Sequence, residues 1–467
     1  MISINKISIT LLILLAGIFL RLFQLNFEDY WLDEMVSFWV ADPNLSLDGA
    51  IERNYFIGQT PPLFDLFLKK YFEFFGYEPK IGRQFPLILG ALSIPLLGAL
   101  TYRIKDNNSY LLAIFLVSIN IYLIKYSQET RPYIFVFLLS ILNIIFYYNL
   151  NLHSNHLLKK ILFTILFISI SVITYSTHPF TLIILFSQIF HIVYLKFFFK
   201  KNSYTFLISL PFTIIIYLFF NYDYLIAQLS YNEYFLSQEN WKFYYNYYFS
   251  RFFGSKIMGL IYLSTLIYLI LFFRKKIFYE QNNYLFLIIL LFFSYIIPLT
   301  YGFLRTPVLT DRYIIFVLIP VLILISCLIF EIKNNYKKFF LLFYILIPTL
   351  FNNYIEISKR QITKPEFTKF FNEIKHHEVN NFFILGEANF SMLVKNYIIN
   401  LKEFNKQKNI ILNKDTMIKG NKFFWSLCYE PINGFDCSIS NISETKLILI
   451  ETKQYHLFNA KLYEIKD

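Results

Sequence analysis

Apolar stretches about as long as a membrane is thick recur along this chain, with short polar segments between them. A helix needs about 20 apolar residues to cross roughly 30 Å of hydrocarbon. About eleven segments approach that length: residues 7–23, 85–102, 110–126, 132–150, 161–175, 180–199, 204–222, 257–273, 284–300, 313–330 and 339–351. The pattern predicts an all-α polytopic membrane protein with about eleven transmembrane helices.

Beyond the last of these segments the pattern changes. From about residue 352, short apolar runs such as 382–385 and 447–450 alternate with polar stretches, which is typical of β-strands. The sequence therefore predicts two domains. Residues 1–351 form a transmembrane domain with a long first outer loop at 24–84, and residues 352–467 form a small soluble α/β domain.

Basic residues mark every second connection between the apolar segments. They are Arg103 and Lys105, then Lys159 and Lys160, then Lys196, Lys200 and Lys201, then Arg274, Lys275 and Lys276, and finally Lys333, Lys337 and Lys338. Connections rich in Lys and Arg face the cytoplasm. The first outer loop, the remaining connections and, because the number of segments is odd, the C-terminal domain are then expected outside.

Composition agrees with a membrane protein and argues against a nucleic-acid partner. Hydrophobic residues make up 56% of the chain and charged residues only 16%, which is unlike a soluble domain. The net charge of +12 comes from short clusters between apolar runs, and not from one basic face of a folded domain. The first apolar stretch resembles a signal peptide in following Lys6, but no small-residue cleavage site follows it, which favours a membrane helix.

Charged residues on the outward side are candidates for chemistry. Asp33 and Glu34 directly follow the first apolar segment, and adjacent carboxylates at a membrane are costly without a purpose. Arg131 and Arg312 lie at the outer ends of segments, where basic residues are disfavoured, so a lipid phosphate is a natural partner for them. The bland alternatives are a helix cap for Asp33 and ordinary headgroup contacts for the arginines.

Several outward motifs recur in a characteristic order: Arg21, YWLDE at 30–34, QTPPL at 59–63, Arg83, YSQETRPY at 126–133, TYSTH at 174–178 and DRY at 311–313. Their order and spacing resemble those of the GT-C membrane glycosyltransferases. The resemblance is to the branch that includes protein O-mannosyltransferases and the lipid A aminoarabinose transferase. Thr60 stands where relatives often carry His or Lys, so a metal or phosphate contact made by that side chain cannot be transferred to this sequence.

The resemblance implies inverting transfer of one hexose or pentose from a polyprenyl-phosphate donor to an extracytoplasmic glycolipid, polysaccharide or protein. It implies a multi-pass protein of the bacterial inner membrane. Asp33 matches the acidic position of the family and is expected to be the base, with Glu34 beside it positioning a neighbour. Arg131 and Arg312 are expected to bind the donor phosphate. His178 is expected to contact that phosphate or the acceptor, and its alternative is a structural role.

Several alternatives stay open on the sequence. Glu129 either pairs with Arg131 or forms a second acidic site near Asp33, and a divalent metal is possible but not required. The aromatic loop at 222–253 either contacts the donor or forms an interfacial belt. The alternative functions are a lipid or glycan transporter or flippase and a polymerase or ligase of lipid-linked glycans, although the charged residues cluster at segment ends. Cys428 and Cys437 either form a disulfide or remain free thiols.

Overall fold

The computed structural model describes residues 4–57, 61–105, 108–150, 157–200, 203–230, 249–279, 283–304, 310–404, 408–412, 422–430, 437 and 446–466. Thr60 and most of the aromatic loop, residues 231–248, lie outside the described residues. The predictions made for them are therefore not tested.

Helices dominate the chain. In chain order they are α1 (Ile4–Leu22), α2 (Leu32–Val40), α3 (Leu47–Ile57), α4 (Leu63–Phe75), α5 (Pro79–Gly82), α6 (Gln84–Ile104), α7 (Ser109–Ile119), α8 (Ile121–Tyr126), α9 (Tyr133–Leu150), α10 (Leu157–Tyr175), α11 (Leu182–Phe199), α12 (Tyr204–Ser230), α13 (Lys256–Phe272), α14 (Arg274–Tyr279), α15 (Tyr284–Leu304), α16 (Leu318–Glu331), α17 (Asn335–Ser358), α18 (Phe367–Glu373) and α19 (Ala388–Ile399). Short 3₁₀ helices at Pro179–Thr181 and Asp311–Val317 lead into α11 and α16.

The predicted membrane helices are confirmed. Within the described residues, nine helical segments are long and apolar enough to cross a membrane, and α7 and α13 are shorter apolar helices. These eleven match the eleven apolar segments of the sequence. One segment differs in detail, because residues 110–126 form two helices and not one.

The break between α7 and α8 lies at Asn120. Its backbone is extended, and its side-chain oxygen accepts a hydrogen bond from the Leu123 N–H at 2.9 Å. Its side-chain amide donates to the Phe252 carbonyl oxygen at 3.0 Å. Asn is a favoured N-cap because its short side chain replaces a missing helical acceptor, so one polar residue ends one helix and starts the next.

The contacts divide the chain into two compact units. The helical unit comprises Met1–Phe23, Asn54–Phe64 and Pro86–Arg360, and the mixed unit comprises Gln24–Arg53, Asp65–Phe85 and Gln361–Asp467. Most of the first loop, which the sequence prediction counted with the transmembrane domain, is thus part of the same unit as the C-terminal residues.

The mixed unit contains a five-stranded sheet of β1 (Asn381–Ile384), β2 (Asn409–Ile411), β3 (Phe423–Tyr429), β4 (Lys446–Tyr455) and β5 (Phe458–Lys466). The strand order is β2-β1-β3-β5-β4. The first three neighbours are parallel, while β5 pairs antiparallel with β3 and β4. The strands predicted at 382–385 and 447–450 are confirmed, and α19 packs against α2.

In the helical unit, a buried arginine ties the first helix to the loop between α8 and α9. The Arg21 guanidinium donates to the carbonyl oxygens of Gly17, Ser118 and Val117 at 3.0 to 3.1 Å. The Gln128 amide donates to the Arg21 carbonyl oxygen at 2.9 Å. These bonds satisfy carbonyl groups at helix ends and fix the YSQETRPY loop that carries Arg131.

A polar cluster joins the ends of four helices of the same unit. Glu331 contacts Lys105, accepts from the Lys276 ammonium at 2.8 Å, and accepts from the Tyr284 hydroxyl at 3.0 Å. Lys105 and Lys276 belong to two of the basic connections assigned to the cytoplasm. Both lysines contact the same carboxylate, which agrees with the prediction that the two connections lie on one side of the membrane.

This arrangement predicts the outcome of a topology experiment. A reporter inserted after Lys276 should report the cytoplasm, because the cluster of positive charge around that residue is retained on the inner side. The same reporter inserted after Gly254, at the other end of α13, should report the outside. Reversed signals would invalidate the orientation on which the assignment of outward residues depends.

Candidate functional site

Three residues predicted from separate motifs come together in the helical unit. Arg131 lies just before α9, and Arg312 lies at the start of the 3₁₀ helix before α16. Both guanidinium groups lie near the same aromatic ring. Their guanidinium carbons lie 5.8 and 5.6 Å from the centre of the Tyr133 ring. The His178 ring centre lies 6.4 Å from that of Tyr133 and 4.8 Å from that of Tyr313. The predicted phosphate-binding group is thus assembled around Tyr133.

Local hydrogen bonds fix the orientation of His178. It follows α10 and caps the 3₁₀ helix Pro179–Thr181, where its Nδ1 accepts a hydrogen bond from the Phe180 N–H at 3.3 Å. The Thr181 hydroxyl is within hydrogen-bonding distance of the carbonyl oxygens of His178 and Thr174. Because Nδ1 accepts, the neutral ring carries its proton on Nε2, which leaves that N–H as a donor.

The two guanidinium groups of this cluster are the type of donor that an anion would contact. Burial together with the positive charges of Arg131 and Arg312 lowers the pKa of His178 to about 3, so the imidazole is uncharged at neutral pH. Only 3% of Arg131 is exposed and Arg312 is half-buried, so water screens these guanidinium groups less than it would at the surface. Arginine also matches the geometry of phosphate oxygens.

Two carboxylates lie in the same cluster. The charges of Glu129 and Asp311 both act on the Tyr126 hydroxyl, as does that of Arg312. Both carboxylates are largely buried, and the Glu129 carbonyl oxygen accepts from the Arg131 N–H at 2.8 Å. Glu129 therefore belongs to the arginine cluster of the helical unit. Asp311 and Tyr133 were not singled out from the sequence, although both stand inside quoted motifs.

The predicted catalytic pair lies in the mixed unit, in the first turn of α2. Asp33 is partly exposed, whereas Glu34 is completely buried. The Arg83 guanidinium donates to both Glu34 oxygens, at 3.1 and 3.0 Å, and the Lys364 ammonium donates to one of them at 2.7 Å. Adjacent helical residues point about 100° apart, so Glu34 faces the protein interior while Asp33 points elsewhere.

Glu34 is an anchor for the loop that leads to Asp33. Burial alone would raise the pKa of the Glu34 carboxyl, but the charges of Arg83 and Lys364 outweigh it and lower that pKa. Arg83 also donates to the carbonyl oxygens of Glu28 and Asp29. Breaking such a buried, hydrogen-bonded pair is costly, so these contacts hold the backbone on which Asp33 is carried.

Cys428 and Cys437 form a disulfide, with their Cα atoms 5.8 Å apart. Within the described residues, these two cysteines and Glu430 are also the group with the spacing of metal ligands. Since disulfide sulfurs are not thiolates, they are unsuited to bind a metal.

Comparisons with known proteins identify the fold. No protein-family model and no curated protein matches the sequence. Among solved structures, ArnT from Cupriavidus metallidurans matches over 98% of both chains at a TM-score of 0.63 and 9% identity in the apo state. The same protein bound to undecaprenyl phosphate matches 99% of this chain and 98% of its own, at 0.60 and 9%.

A second, more distant structure points the same way. The oligosaccharyltransferase AglB from Archaeoglobus fulgidus, in complex with an inhibitory peptide and a dolichol-phosphate, matches 91% of this chain and 69% of its own, at a TM-score of 0.52 and 11% identity. Identities this low establish the fold and not the activity. The resemblance inferred from the motifs is confirmed at that level: the chain is a multi-pass membrane protein with the GT-C fold of these glycosyltransferases.

Proposed function

We propose that this protein transfers one sugar from a polyprenyl-phosphate donor to an acceptor outside the cytoplasm, with inversion at the anomeric carbon. The observation that carries the proposal is the convergence of Arg131, Arg312 and the His178 Nε2–H around Tyr133. Neighbours of the same fold have been solved with undecaprenyl phosphate and with dolichol-phosphate, which is the ligand chemistry that such a cluster suits.

The proposed reaction is a single displacement at the anomeric carbon. An acceptor hydroxyl oxygen attacks the anomeric carbon while the bond from that carbon to the phosphate oxygen breaks. Arg131, Arg312 and His178 stabilise the negative charge that develops on the departing phosphate. Asp33 accepts the hydroxyl proton as general base, and polyprenyl phosphate is the second product. Glu34 acts as a positioning residue.

The extracytoplasmic side is part of the proposal. Arg131 precedes α9, and Arg312 lies in the 3₁₀ helix that leads into α16, whereas Tyr148 and Glu331 lie near the far ends of α9 and α16. Glu331 belongs to the Lys105 and Lys276 cluster. If that cluster faces the cytoplasm, the arginines face the opposite side, where lipid-linked sugars would be used.

The proposal is tested by the donor dependence of an Arg312→Ala variant. In a purified, detergent-solubilised protein supplied with polyprenyl-phosphate sugars, kcat should fall by about 10²- to 10³-fold, as for the loss of one charge-stabilising donor. The donor KM should also rise, because the phosphate is bound before it departs. Sugar transfer by a purified protein also separates the transferase from the transporter or flippase alternative.

The matched control is Arg274→Ala. Arg274 is exposed and belongs to a basic connection that does not reach the cluster. Its loss should leave kcat and the donor KM within about twofold of the wild-type values. If both variants behaved alike, Arg312 would be a helix anchor, and the proposed phosphate site would be abandoned.

A further inference from the structure

The mixed unit contains a cavity of about 540 Å³ that the proposed phosphate site does not use. Its walls come from three stretches of chain: residues 26–30 of the first loop, the region of α5 and Arg83, and residues 362–373 with α18; α19 closes it with Tyr397. This volume lies within the range of roughly 300–1,000 Å³ that ligand pockets occupy. The cavity is therefore large enough for a small molecule or a few sugar rings.

Carboxylates of the first loop join the walls of this cavity by accepting hydrogen bonds from the other stretches. The Asp29 carboxylate accepts from the Thr368 N–H at 2.7 Å and from the Tyr397 hydroxyl at 3.0 Å. The Glu28 carboxylate accepts from the N–H and hydroxyl of Thr363 at 2.6 and 2.8 Å. Walls held in this way lose little entropy when a ligand binds, so the cavity has the character of a preformed site.

The charges of the wall argue against an anionic ligand. Four carboxylates and three cations line the cavity, and they are engaged with protein partners. Lys80 pairs with Glu403 at 2.8 Å, and Lys369 pairs with Glu366 at 3.3 Å. Phosphate or sulfate groups would require an excess of positive charge, which this wall does not provide.

The remaining chemistry suits hydroxyl groups. Each hydroxyl both donates and accepts, so a ring with many of them can use carboxylate and carbonyl acceptors together with amide and ammonium donors. The amides of Asn26 and Asn372 are on exposed residues of the wall, and Phe27 and Ile362 are 39% and 38% exposed beside them. Exposed apolar faces next to polar groups fit the C–H faces and hydroxyl edges of a sugar.

We propose that this cavity binds a neutral saccharide portion of the acceptor. That the saccharide belongs to an acceptor rests on the proposed transferase function. Connectivity within the mixed unit supports it. The wall residues 26–30 run directly into α2, which carries Asp33, and Arg83 lines the cavity while holding Glu34. A saccharide in the cavity would thus contact the same loop that positions the proposed base.

The test is binding of the full-length, detergent-solubilised protein to an array of neutral and anionic oligosaccharides. Wild-type protein should bind neutral oligosaccharides in preference to phosphorylated or uronic-acid ones. Asn372→Trp, which fills the cavity from an exposed position on α18, should lower the affinity at least tenfold. The control His376→Trp places the same ring on an exposed residue outside the cavity wall and should bind within twofold of wild type.

A second variant guards against misfolding of the first. Asn372→Ala removes the amide without adding bulk, so it should weaken binding by a smaller factor while melting like the wild type. The inference is overturned if neutral oligosaccharides are not bound, if anionic ones are preferred, or if neither Asn372 variant differs from the control.

Donor consumption by the same preparations separates the two proposals. Neutral-saccharide binding that depends on Asn372, without any turnover of polyprenyl-phosphate sugars, would keep the cavity as a saccharide site and remove the transferase. Turnover that is unaffected by Asn372→Trp, with no saccharide binding, would keep the transferase and remove the cavity.

Discussion

Asp33→Asn should reduce sugar transfer by about 10²- to 10⁴-fold, the usual contribution of a general base, while the protein inserts and folds as before. Asn has nearly the same size as Asp but cannot accept the acceptor proton. Asp33 is partly exposed, and Glu34 and Arg83 anchor its helix. The loss should therefore appear in kcat with a melting temperature close to that of the wild type.

Asp48→Asn is the matched control for this change. Asp48 also lies in the first turn of a helix of the mixed unit, α3, and is exposed. It shares the favourable interaction of an acidic residue with a helix N-terminus, so any effect of losing that interaction appears in both variants. Normal turnover in Asp33→Asn would remove Asp33 from the mechanism, whatever the control showed.

Glu34→Ala should destabilise the mixed unit by about 3–5 kcal/mol, which is the usual cost of removing one partner from a buried ion pair. The substitution leaves the Arg83 guanidinium and the Lys364 ammonium without the carboxylate that they share. The loss should be visible as faster proteolysis of the first loop and a lower melting temperature. Activity should fall as well, because the backbone that carries Asp33 is no longer fixed.

Two comparisons sharpen this prediction. Glu52→Ala, at an exposed position of the same unit, should change the free energy of unfolding by no more than about 0.5 kcal/mol, as surface substitutions usually do. The second comparison is acidification. Because the folded protein lowers the pKa of Glu34, its stabilising contribution is complete above the ordinary value of 4.5 and is lost as the pH falls through the lowered one. A Glu34→Gln variant that kept the wild-type melting temperature and acid sensitivity would contradict both expectations.

Hydropathy was sufficient to predict the membrane helices, because an averaging window of about 20 residues matches the length that a helix needs to cross the membrane. The same averaging hid Asn120, whose effect on the chain comes from one cap hydrogen bond. The order of the motifs was sufficient to predict that Arg131, His178 and Arg312 act together. Each motif lies at a helix end and carries a side chain that can contact a phosphate.

The sequence could not predict which distant segments come together in the mixed unit. Arg83 meets Glu34 across 49 residues, and Lys364 meets it across 330. Periodicity reports which face of an element is apolar, and it carries no information on which distant segment supplies a partner charge. The role of Glu34 could be predicted only as far as its direction on the helix, and its partners required the structure.

The shared carboxylate of Glu34 also bears on how the protein is made. Arg83 is synthesised soon after Glu34, but Lys364 and the Thr368 that holds Asp29 follow only after α17, the last of the apolar helices described above, has been synthesised. During most of translation Glu34 therefore has Arg83 available as a partner but lacks Lys364. The buried charge network that positions the proposed base is thus completed only once the chain has been synthesised past residue 368, so translation itself sets a lower limit on when that base can be fixed.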